Sequence, residues 1–122
     1  MSRSILLQLA RDSIAEVIEA KRTIDKNALL NTYPLLKEKI PTTINLYLDD
    51  KLRGSYTSDA SSSLFEAIVK NAKCCAFEDA NFTPITTSEY LSCEVEIILQ
   101  TPDGVISERD PSLLSTHTFN EN

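Results

Sequence analysis

At 122 residues the chain is one domain in length, enough to bury roughly two thirds of its unfolded surface around a single core. Its 18 Asp and Glu outweigh 12 Lys and Arg, and the net charge of −6 excludes the broad phosphate-neutralising surface that nonspecific nucleic-acid binding requires. No apolar run approaches the ~18 residues of a membrane span, and the longest N-terminal one, Ile5 to Leu7, is too short for a signal peptide. With three cysteines in no framework spacing, read as reduced thiols, these features point to a cytoplasmic protein.

In chain order, Leu6, Leu9, Ala10, Ile14, Val17 and Ile18 recur at helical spacing and predict an amphipathic helix ending near Lys21-Arg22. Asp25 is positioned to cap a short helical turn through Leu30, and Pro34 limits the next few residues to short or irregular structure. Ile44, Leu46 and Leu48 alternate with Thr43, Asn45 and Tyr47, as in a strand with one face on a core. Asp49-Asp50 marks a turn, and Lys51 to Tyr56 returns antiparallel, with Gly54 permitting a bulge or a close backbone approach. Ser63 and Glu66 have the spacing of a capping box at the start of a second helix, whose core stripe is Leu64, Ile68, Ala72 and Cys75. That helix should stop near Phe77.

After a loop at Asn81 to Pro84, Thr87 to Tyr90 suits one helical turn. Cys93, Val95, Ile97 and Leu99 then alternate with Glu94, Glu96, Ile98 and Gln100 in another half-buried strand. Pro102-Asp103-Gly104 has turn chemistry, Val105-Ile106 can pair once more, and the tail from about residue 105 is polar enough to fray. Strands in hairpins with helices between them predict an α+β fold, an antiparallel or mixed sheet with helices packed on it, as a single domain over 1–122.

Several segments occur in a fixed order: Leu52-Arg53-Gly54, Lys70-Asn71-Ala72 through Ala76-Phe77, Glu78 to Thr86, Glu89 to Leu91, and Cys93 to Pro102. In this order they resemble the AMMECR domain family, whose pattern runs LRGCIG, ENAxxAAF, RDPRFPPLTxEEL and LEIEVSVLSPP. The likeness extends to the first helix, ILLQLARDSIAEVI. It implies an AMMECR-like α+β fold and a family without an assigned reaction. Family domains continue well past the strand that here ends near Thr101, so the chain reads as a shortened, divergent member.

The candidate ligand site is Arg53, Gly54 and Ser55, together with Ser58, Asp59, Ser61 and Ser63 at a helix start. Unpaired amides and the helix dipole at that start, with Arg53 and the hydroxyls, would suit a phosphate or carboxylate. The plainer alternative pairs Arg53 with an acid and leaves the serines to cap the helix and form turns. A phosphate-binding loop needs several glycines, and only Gly54 is present.

In the resembling family the LRGCIG segment is the natural functional site and its cysteine the natural nucleophile. Here Ser55 replaces that cysteine, and Tyr56 and Thr57 replace the adjoining Ile and Gly. Ser needs a base to become a nucleophile, and the one histidine, His117, lies in the tail. Cys75 and Cys93 fall on apolar stripes as packing residues, and neither cysteine pairs nor a second histidine offers a metal site. Glu94 and Glu96 share a strand face, where alternating acids are usually solvated. Phe77, Phe82 and Tyr90 read as anchors for the loop they flank.

These features favour a binding or accessory module over an enzyme, with no cofactor and no metal, acting on a small anionic ligand or a protein partner. Family resemblance implies a partner of the Memo-like or radical S-adenosylmethionine type, beside an enzyme that modifies nucleic acid or protein. The alternative is an enzyme using a pocket around Arg53 to Asp59.

Overall fold

A computed structural model describes residues 4–79 and 81–111. The first helix, α1, spans Ile5–Glu19, where Ser4 accepts from the Leu7 amide and Ala20, at φ 55°, turns the chain out of the helix. Left-handed backbone at a non-glycine residue is costly, but it closes a helix C-terminus by giving two amides carbonyl partners in the last turn. Asp25 caps α2, Lys26–Thr32, as its position predicts, and Pro34–Lys37 makes a single 3₁₀ turn.

Strands β1, Thr42–Leu48, and β2, Lys51–Ser58, form a hairpin through Asp49-Asp50. Both aspartates have positive φ, 54° and 65°, the requirement of a two-residue turn that matches strand twist. Helix α3, Leu64–Phe77, starts at Ser63, which accepts from the Glu66 amide at 3.3 Å. The reciprocal bond of that expected capping box, from the Ser63 amide to the Glu66 side chain, is not made: one Glu66 oxygen accepts from the Ser63 hydroxyl at 3.5 Å and the other lies 3.6 Å from Lys26. The full box occurs one helix later, between Thr86 and Glu89 at the start of α4, Thr87–Ser92.

Strands β3, Glu94–Thr101, and β4, Gly104–Asp110, complete an antiparallel sheet of order β2-β1-β3-β4. Helices α1 and α3 pack together on one face. Ile44, Leu46, Val95, Ile97 and Leu99 from the strands meet Leu64, Ile68, Ala72 and Cys75 from α3, all buried as the two periodicities require. Among the described residues the opposite face carries no covering layer, and no helix is long and apolar enough to cross a membrane.

The stretch expected to fray from about residue 105 pairs as a strand as far as Asp110, which is buried. Its partner is Arg11, a side chain only 1% exposed inside the first helix. The guanidinium donates to the Asp110 carboxylate and to the carbonyls of Tyr90, Cys93 and Pro111, and it lies 5.5 Å from the Tyr90 ring centroid. A buried charge is tolerated only with such a complement of partners. His117 lies outside the described residues.

Candidate functional site

The β1–β2 register slips between Leu46 and Tyr47, so that Leu46 faces Gly54, Tyr47 faces Leu52, and Arg53 is the extra residue of a bulge. Bulges re-aim side chains, and this one directs Arg53 away from solvent. Its guanidinium grips Glu89 of α4 with two bonds of 3.2 and 3.0 Å, donates to the Thr83 carbonyl at 2.8 Å, and stands 5.5 Å from the Phe82 ring centroid. The Arg53 partnership holds the Glu89 carboxyl below its ordinary range, burial opposing it and the Thr86 amide adding to it. Glu89 in turn closes the Thr86 capping box. One arginine therefore fastens Phe82, Thr83 and the start of α4 to the sheet.

Gly54 has its own reason to be glycine. A Cβ there would sit 2.1 Å from the Cys75 carbonyl oxygen, so the last turn of α3 lies against bare strand backbone. Arg53 and Gly54 are consequently at the C-terminal end of α3. Ser63 caps the N-terminal end, roughly 20 Å away along a 14-residue helix. Ser61 donates its amide to the exposed Asp59 carboxylate in a local turn, and Ser58 accepts from the buried Asn71 at 3.0 Å. The seven predicted ligand residues are thus not brought into one pocket: Arg53 and Gly54 lie at one end of α3, and Ser58, Asp59, Ser61 and Ser63 lie toward the other.

Ser55 goes elsewhere again. In direct register across all four strands stand Ser55, Asn45, Glu96 and Arg109, one from each of β2, β1, β3 and β4, on the uncovered face. The Ser55 hydroxyl donates to the Asn45 side-chain oxygen at 2.6 Å, and the Asn45 amide donates to Glu96 at 3.0 Å. Tyr47 donates to the same Glu96 oxygen at 2.9 Å, and this bond, with desolvation, pushes the phenol above its ordinary range. Arg109 lies 4.3 Å from the Tyr47 ring centroid and pairs with Glu94 at 2.7 Å. Glu94 and Glu96 do share a face, but each is engaged by named partners. Asp79 accepts from the Ser55 amide at 3.0 Å, closing part of the β2 edge.

This cross-strand network was not legible in the sequence. Its only signal was the alternation that put Asn45, Tyr47, Glu94 and Glu96 on polar strand positions. The Ser55 proton is directed at an amide oxygen, not at a base. The three cysteines are free thiols and buried, and desolvation pushes each above the usual thiol range. Among the described residues no group of three His, Cys, Asp or Glu side chains is placed to hold a metal.

A family model matches residues 7–116 under the description AMMECR1. The chain belongs to the AMMECR1 family. Its AMMECR1 domain is similar to the crystal structure of an uncharacterised protein, PH0010, from Pyrococcus horikoshii, with 29% sequence identity and a TM-score of 0.70. That likeness covers 80% of this chain and 50% of the other, so the AMMECR1 domain spans about half the length of the structure it resembles. No curated protein matches. Within the AMMECR1 domain described here, the Leu52-Arg53-Gly54 segment secures the sheet to α3 and α4.

Proposed function

We propose that this AMMECR1 domain is a cytoplasmic binding module that docks a protein partner on the uncovered face of its sheet. The observation that carries the reading is the register row of Ser55, Asn45, Glu96 and Arg109, with Tyr47 beside it. The row's side chains are held in place by one another, so little side-chain entropy remains to be lost on contact. Tyr and Arg are the residue types that most often dominate binding energy at protein interfaces, and here one lies over the other. Exposed Leu52 and Val105 add apolar area at either edge of the same face. By family resemblance the partner is a Memo-like or radical S-adenosylmethionine protein.

Calorimetric titration against such a Memo-like protein tests this. Tyr47→Ala and Arg109→Ala should each raise Kd by about tenfold or more, as interface anchors do, while Lys39→Ala should not. Unchanged affinity in both sheet-face variants would remove the proposed surface. The alternative is an anion site or an enzyme pocket spanning Arg53 to Asp59 and the Ser61 to Ser63 helix start. It requires an anion to take Arg53 from Glu89. A melting temperature that phosphate raises in the wild type but not in Arg53→Ala would favour it.

A further inference from the structure

An open groove of about 420 Å³ lies between the end of α1 and the outer side of α3, on the helical side of the molecule and away from the sheet face. That volume falls within the roughly 300–1,000 Å³ of small-molecule sites. Val17, Ile24, Phe65 and Val69 line it with apolar surface, and Val17 is 45% exposed, a large aliphatic side chain left facing water. Lys21, Arg22 and Lys73 supply three cations against a single acid, Glu16, in a chain whose net charge is −6. The groove therefore reverses the sign of the protein around it.

Glu16 does not cancel that reversal. Its carboxylate accepts the Thr23 and Ile24 amides at 2.7 and 2.9 Å, and Lys73 lies 3.3 Å from its other oxygen. Burial would raise this carboxyl, but those amides and Lys73 outweigh it and hold the group below its ordinary range. Its bonds are spent on ordering the segment that leaves α1 at the left-handed Ala20 and carries Lys21 and Arg22. Neither Lys21 nor Arg22 makes an ion pair with the described residues, so both remain available to an incoming anion.

We infer that this groove binds a small anion with an apolar body, a phosphate or carboxylate on an aromatic or branched group. The body lies along Val17, Ile24, Phe65 and Val69, and the charged head meets Lys21 and Arg22. The test uses phenyl phosphate, its binding read by calorimetry and by backbone amide shifts in nuclear magnetic resonance.

Saturable shifts should appear at Val17, Ile24 and Val69. Lys21→Ala/Arg22→Ala, at exposed positions where replacement should leave the melting temperature in place, should weaken binding by about tenfold or more. Benzyl alcohol, with the ring but not the charge, should bind at least about tenfold more weakly, and Arg53→Ala should bind phenyl phosphate as the wild type does. Linear shifts without saturation, equal affinity in the double variant, equal affinity for benzyl alcohol, or loss of binding in Arg53→Ala would each overturn the assignment.

Discussion

Arg53 and Gly54 are adjacent in sequence and serve the same junction by opposite means, one by reaching across it and the other by leaving room. Arg53→Ala removes three donors from Glu89 and Thr83 and leaves a carboxylate, 29% exposed, without its main partner. The expected cost in chemical denaturation is about 1.5–3 kcal/mol, the range for hydrogen bonds to charged groups, with the partial exposure keeping it below that of a fully buried pair. Gly54→Ala inserts a methyl group against backbone that belongs to a helix and cannot swing aside. A loss of about 1–3 kcal/mol is expected, typical of overpacking, and a Gly54→Ala protein as stable as wild type would show that α3 is free to shift.

The elements themselves were largely legible because their signals are local. Alternation at residues 43–48 and 93–99, the Asp25 and Ser63 caps, and the stripe from Leu64 to Cys75 each concern neighbours a few residues apart. The destination of Arg53 was not legible. A one-residue bulge decides which way it points, and its partner Glu89 lies 36 positions away. The length of β4 was hidden for a related reason: Val105 and Ile106 are adjacent and exposed, so the strand shows no alternation. What shows in the structure is its ladder with β3 and the buried Asp110 at its end.

The same elements give a pH dependence. Glu16 and Glu89 are held below their ordinary value of 4.5 in the fold. Groups lowered by folding add stability that is fully present above the unfolded value and is lost as pH falls through the folded one. The urea midpoint should therefore fall steeply once the pH drops below about 4.5. Glu89→Gln should be less stable at neutral pH and show a shallower acid limb. An acid limb parallel to that of wild type would mean the Arg53 pair contributes nothing to folding.

Across the whole molecule, the buried Arg11–Asp110 pair joins residues 99 positions apart and ties α1 to the end of β4. Asp110→Ala should cost about 3–5 kcal/mol in denaturant unfolding, because it strands a buried cation. Arg11→Met/Asp110→Leu removes both charges and should recover most of that loss; failure to do so would place the stabilisation in the three carbonyl contacts instead. Arg11 was invisible in the sequence because an arginine on an amphipathic helix ordinarily faces water. The partners that make its burial tolerable, the Asp110 carboxylate and the carbonyls of Tyr90, Cys93 and Pro111, all lie 79 or more positions away in the chain.

That pairing also has a consequence for synthesis on the ribosome. The first helix emerges early carrying a cation that it must bury, yet the carboxylate that neutralises it is translated nearly one hundred residues later. At about 5–20 residues per second the wait is several seconds or more, far longer than a helix needs to form. During translation α1 can be helical, but burying its apolar face before Asp110 is made would strand the Arg11 charge in the core. The native core should close as a late, concerted event once β4 is clear of the exit tunnel, and nascent chains halted before Asp110 should remain open to protease.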